Sequence, residues 1–135
     1  MHLKRLNQAL LIVSSAILTV IALTFGADPV SLVPTLYHTP VADINAIHIY
    51  RSVMGLILGV VAFWLYAAFN SQFTLAALYS LGLAMLGLSL SRIFSLLVDT
   101  GKPTTLLLVY LLAELGTALV VFLLIRQNRK HASTG

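Results

Sequence analysis

Four long apolar stretches set the terms for everything this chain can fold into. Residues 9–26 carry no charge at all. Residues 47–69 are broken only by His48 and Arg51, residues 73–98 only by Arg92, and residues 104–125 only by Glu114. A hydrocarbon core of roughly 30 Å needs about 20 helical residues, and all four stretches meet that length. Within lipid they must be helices, because a lone strand leaves its backbone groups unpaired. The composition agrees: 59% hydrophobic, 9% charged, mean hydropathy +0.99, against about 25% charged in soluble domains. So little polar surface excludes a soluble enzyme, a disordered tail and a nucleic-acid module. The expected fold is all-α: a four-helix transmembrane bundle with antiparallel up-down neighbours, forming one integral membrane domain over residues 1–135.

The first stretch has the basic start and apolar run of a secretory signal. Its run is longer than the usual apolar region, however, and Phe25 is too large for the residue three before a cleavage site. It reads as a retained anchor. Basic residues then give direction. Lys4 and Arg5 precede the first span, and Arg126, Arg129 and Lys130 follow the fourth. The opposite loops hold Lys102 alone, with Asp28, Asp43 and Asp99. The positive-inside rule puts both termini in the cytoplasm, so the net charge of +4 reads as topogenic rather than as a nucleic-acid or dedicated anionic-lipid site.

Asn70-Ser71-Gln72 is a very short turn, so the second and third spans are expected to form an antiparallel hairpin. Asp99 to Pro103 is the tight outer turn, where Gly101 can take φ > 0 and Pro103 suits the first turn of the fourth helix. The one long connection, about Ala27 to Asp43, holds Pro29, Pro34 and Pro40 and is not expected to be a continuous helix. Its apolar residues are expected to lay it on the outer mouth of the bundle or dip it into the interface, with Thr39-Pro40 or Asp43 able to cap the second span. The tail, residues 128–135, is polar and expected to fray. Trp64, Tyr66 and Phe69 at one interface, and Tyr37 and Tyr50 at the other, read as an aromatic belt.

Ionisable residues inside a membrane are costly and therefore informative. At about 1.5 Å per residue from the outer turns, Arg51 lies roughly 12 Å deep, Arg92 roughly 10 Å and Glu114 roughly 16 Å. Each sits in a polar stripe at helical spacing: Asn45, His48, Arg51, Ser52 and Gly55; Ser89, Arg92, Ser95 and Asp99; Tyr110, Glu114 and Thr117. These stripes are expected to turn toward one another, helped by Gly55 and Gly59 and by Ser80, Ala84, Ser91 and Ser95. The uncharged first span is then the peripheral helix or an oligomer contact.

Two readings of the cluster stand side by side. In one, Glu114 accepts from Arg92, Arg51 or both, Asp99 balances the second guanidinium, and the network fixes helix register. In the other, Asn45, His48, Arg51, Arg92, Asp99, Tyr110 and Glu114 line a pocket beneath the proline-containing loop. His48 lacks the partners that a haem or zinc site requires, so no metal or cofactor is expected. The chain has no cysteine, which excludes disulfides and thiolate chemistry. No nucleophile–base pairing or phosphate loop is present, so no catalytic residue is assigned.

This set of residues resembles a bacterial family of small four-helix integral membrane proteins catalogued only as a domain of unknown function. The matching residues are Gly26, Pro29 and Leu32-Val33-Pro34; Asn45, Tyr50-Arg51 and Gly55-Leu56; Gly87-Leu88, Arg92, Ser95, Asp99, Gly101 and Pro103; and Glu114. The resemblance covers roughly Gly26 to Ile125. It implies a four-helix protein of the bacterial inner membrane and no particular activity. The expected role is a non-enzymatic structural or accessory protein in contact with membrane lipid, working as a homo-oligomer or beside a complex partner. The alternative is binding or proton-coupled transport of a small polar or amphipathic molecule through a periplasm-facing pocket.

Overall fold

Long apolar segments with few helix breakers become long helices, and the structure, a computed structural model, is helical almost throughout. It describes residues 2–133, with side chains as far as residue 130. Five helices follow in order: α1 His2–Gly26, α2 Pro29–Tyr37, α3 Ile44–Phe69, α4 Thr74–Val98 and α5 Thr105–Ser133. Four of them, α1, α3, α4 and α5, are long and apolar enough to cross a membrane. Their polar flanks stay helical, so α1 starts seven residues before the apolar run. The tail is not frayed as far as it is described: α5 continues to Ser133, and residues 134 and 135 lie outside the described part.

The helices associate as two antiparallel pairs. The most extensive contact is between α1 and α3, and the next is between α4 and α5. The first span is therefore not peripheral. Helix α1 buries Leu11, Ser14, Ser15, Ala22 and Gly26, and at Gly26 an added Cβ would lie inside the van der Waals envelope of Met54 Cβ and Sδ. Close approach of this kind is what small residues permit in membrane helices. Gly26→Ala should therefore cost roughly 1–3 kcal/mol by overpacking, read as a lower midpoint of reversible unfolding in mixed micelles. By contrast, an added Cβ at Gly55 or Gly59 meets nothing within 4 Å. That Gly-xxx-Gly pair does not join helices within one chain.

The turn at Asn70–Phe73 does connect antiparallel helices, but α3 and α4 meet mainly near it. The Thr74 hydroxyl donates to the Ala67 carbonyl at 3.2 Å, and the Trp64 indole donates to Ser80 Oγ at 3.2 Å. Trp64 is fully buried rather than part of an aromatic belt. It sits in a core with Leu11, Leu78, Leu81, Val121 and Ile125, where both helix pairs converge. The N-terminus of α1 and the C-terminal part of α5 share this end, because the Asn7 side-chain amide donates to Asn128 Oδ1 at 2.9 Å.

At the opposite end the proline-containing connection contains a helix after all. Asp28 caps it, accepting from the Ser31 amide at 3.3 Å, and Pro29 opens it where no N–H is needed. Pro34 costs one backbone bond, which a nine-residue helix held by its surroundings tolerates. His38, at φ 54°, closes it by donating its amide to the Pro34 carbonyl at 3.0 Å. Val33, Tyr37 and Val41 then pack against Phe25, Ile47, Tyr50, Leu106 and Tyr110, so α2 covers this mouth. Tyr37 is buried in that packing, stacked on Phe25 at 4.8 Å, and bonded to Thr24 at 3.0 Å. Asp43 caps α3, accepting from the Asn45 amide at 3.3 Å. Gly101 takes φ +118° in the turn before α5. Pro103 precedes α5 rather than opening it, and the Thr104 carbonyl accepts from the Leu107 and Leu108 amides.

Candidate functional site

Two helical faces, one from α4 and one from α5, bring Arg92 onto Glu114. Arg92 Nε donates to both carboxylate oxygens of Glu114, at 3.1 and 3.0 Å. Glu114 is buried and Arg92 partly so. The Arg92 guanidinium also lies over the Tyr110 ring, 5.7 Å from its centroid, a favourable cation–π placement. Tyr110 stands one helical turn from Glu114 on α5, so a single face supplies both partners. In low dielectric each charge needs the other, and the pair fastens α4 to α5 near the α2 end.

The other expected members do not join. Asp99 accepts from Ser95 Oγ at 2.5 Å one turn away, not from a guanidinium. Arg51, His48 and Asn45 are all exposed, and no ion pair reaches Arg51 among the described residues. The cause lies in α3 itself. Met54, Ile57 and Val61 take the face that meets α1 and the core. At 100° per residue, His48, Gly55 and Gly59 fall on the other side of the helix, and Arg51 lies at the flank, about 90° from the centre of that face. Among the described residues, the ion pair of Glu114 is with Arg92 alone, and Arg51 does not extend it into a three-helix network.

A cavity does open at the α4–α5 turn, with a volume of about 290 Å³. Arg92, Ser95, Asp99 and Lys102 line it, with Leu107 and Leu111 as apolar wall. It shares only Arg92 and Asp99 with the expected pocket. Lys102 was overlooked because it reads as a lone loop charge. Sequence reasoning also missed the pairing of Asn7 with Asn128, although both lie in short polar flanks at the same membrane boundary.

The α4 stripe that flanks Arg92 is open as well. Gly87, Ser91, Ser95 and Asp99 are exposed, and an added Cβ at Gly87 meets nothing within 4 Å. The molecule thus carries two polar, small-residue stripes inside candidate membrane spans that its own helices leave uncovered.

The model of one family, a domain of unknown function (DUF4345), matches residues 6–125. The chain belongs to this family. No curated protein and no solved structure matches the chain. DUF4345 carries no assigned activity, so its membership with four apolar helices fits a membrane protein of unassigned function. The match starts at residue 6 and so includes α1, the helix whose sequence is most generic. That extent agrees with the structure, in which α1 and α3 form the most closely packed pair of this DUF4345 chain.

Proposed function

We propose that this protein is a non-enzymatic component of the bacterial inner membrane that works as an assembly of its own copies. The observation that carries this reading is the exposed α3 face with Asn45, His48, Arg51 and Ser52 inside a candidate span. Scattered apolar exposure is ordinary in lipid, but an uncovered arginine face is costly there. The α4 stripe supplies a complement. Gly55 lies twelve residues beyond Asp43, and Gly87 lies twelve before Asp99. In two copies of the same orientation these glycines sit at equal depth, roughly 18 Å from the α2-end turns. Arg51 then faces the level of Ser91, on the stripe that ends in Asp99. At that level the serine oxygens of α4, with Asp99 about 12 Å further toward the turn, face the cation, and both stripes have glycines where the backbones must approach.

The basic flanks support an orientation with both termini cytoplasmic. Lys4, Arg5, Arg126, Arg129 and Lys130 share the end that the Asn7–Asn128 bond defines.

Native mass spectrometry of protein extracted into nanodiscs from its own membrane tests the assembly. The wild type is expected as a homodimer or a larger closed ring. Arg51→Ala is expected to shift it to monomer with unchanged helix content by circular dichroism. A monomeric wild type, or one bound to a different protein, overturns this reading.

The cavity at the α4–α5 turn favours a second reading, in which a polar or amphipathic molecule binds beside Arg92. Its terminal amines make no hydrogen bond among the described residues, since Glu114 is engaged through Nε alone. A discrete small-molecule mass that disappears in Glu114→Gln would support that reading over the first.

A further inference from the structure

The basic residues after α5 read as topogenic from the sequence alone, but the fold arranges them around a groove. Arg126, Arg129 and Lys130 lie at three- and four-residue spacing on α5, hence on one face. With Tyr79 of α4 and the apolar side chains of Phe122 and Ile125 they line an open groove of about 540 Å³. Tyr79 is half-buried, five residues into α4, and its hydroxyl makes no hydrogen bond among the described residues. That places a hydroxyl at headgroup depth, roughly 7 Å from the start of the helix.

The electrostatics at this end are one-sided. All four acidic residues lie elsewhere: Asp28, Asp43 and Asp99 are at the α2 end, and Glu114 is twelve residues before Arg126 and already paired. Five of the eight lysines and arginines lie at the terminal end. No aspartate or glutamate side chain pairs with Arg126 or Arg129 among the described residues. Arginine forks match phosphate oxygens, and basic pockets between membrane helices hold anionic headgroups. A free phosphate would use only the cationic rim. A phospholipid would also use the Phe122 and Ile125 wall, along which an acyl chain can lie.

We infer that the α4–α5 groove at the terminal end is a binding site for one anionic phospholipid. Arg126 and Arg129 hold the phosphodiester, the Tyr79 hydroxyl donates to a phosphate oxygen, and Phe122 and Ile125 contact the acyl chain.

The test uses full-length protein in nanodiscs of phosphatidylcholine with one part in ten phosphatidylglycerol, released gently into native mass spectrometry. The wild type is expected to retain one phosphatidylglycerol in preference to phosphatidylcholine. Arg126→Ala with Arg129→Ala is expected to lower that retention at least tenfold. Lys4→Ala with Arg5→Ala removes the same charge from the same end and is expected to leave retention unchanged. Tyr79→Phe, which preserves packing, is expected to lower retention about threefold and keeps the site testable if the arginine variant fails to fold. Addition of 10 mM inorganic phosphate is expected not to displace the lipid. Equal losses in the two double variants would reduce the effect to a diffuse field and overturn the site. Displacement by inorganic phosphate would overturn its assignment to lipid.

Discussion

Glu114→Ala is expected to destabilise the protein by about 3 kcal/mol, near the lower end of the range for breaking a buried ion pair. Glu114 is only 8% exposed, and both its oxygens accept from Arg92 Nε. Removing it leaves the guanidinium with the Tyr110 ring and no carboxylate, in a place where water is scarce. The arginine side chain keeps 26% of its exposure, so partial escape toward the turn limits the loss. The decisive comparison is the double variant. Arg92→Leu with Glu114→Leu removes both charges and fills the space, and should recover most of the lost stability. Reversible unfolding in detergent mixtures measures all three. A double variant as unstable as Glu114→Ala would show that the pair's charges are not what the single substitution disturbs.

Trp64→Ala is expected to cost at least as much, about 3–5 kcal/mol. The indole is completely buried where both helix pairs meet. Lipid removes the usual hydrophobic drive between helices, so this loss comes from dispersion contacts and an unfilled cavity. Trp64→Phe separates the parts. It keeps most of the volume and deletes the bond to Ser80 Oγ, and should cost only about 1 kcal/mol. Similar losses in the two variants would mean that the hydrogen bond outweighs the packing.

Span number and span limits are legible because the bilayer imposes a length, and residues 9–26, 47–69, 73–98 and 104–125 all fall inside the observed helices α1, α3, α4 and α5, apart from Phe73 and Thr104 at helix starts. Helix partners are not legible in the same way. In water an apolar stripe marks the buried face, but in lipid both packed and lipid-facing sides are apolar, so hydropathy does not tell α1 from a peripheral helix. The closest glycine contact there, Gly26 on Met54, rests on one absent Cβ. The Arg92–Glu114 pair was readable because opposite charges at matching depth on consecutive helices have few other solutions. Arg51 lies at a matching depth too, yet its direction around α3 is set by Met54, Ile57 and Val61, which meet α1 and the core. Helix α2 was obscured by counting prolines. Pro29 stands at the first helical position, where the ring is tolerated, and Asp28 supplies the cap.

Cysteine cross-linking between copies tests most directly whether the α3 and α4 stripes meet. The chain has no cysteine of its own, so each introduced thiol is the only one present. Gly55→Cys and Gly87→Cys place small side chains where nothing lies within 4 Å in one chain, so neither should disturb the monomer. When differently tagged copies, one carrying G55C and the other G87C, are expressed together and oxidised in native membranes, a covalent heterotagged dimer is expected. Its absence, with both thiols labelled equally by a membrane-permeant maleimide, would contradict assembly through these stripes.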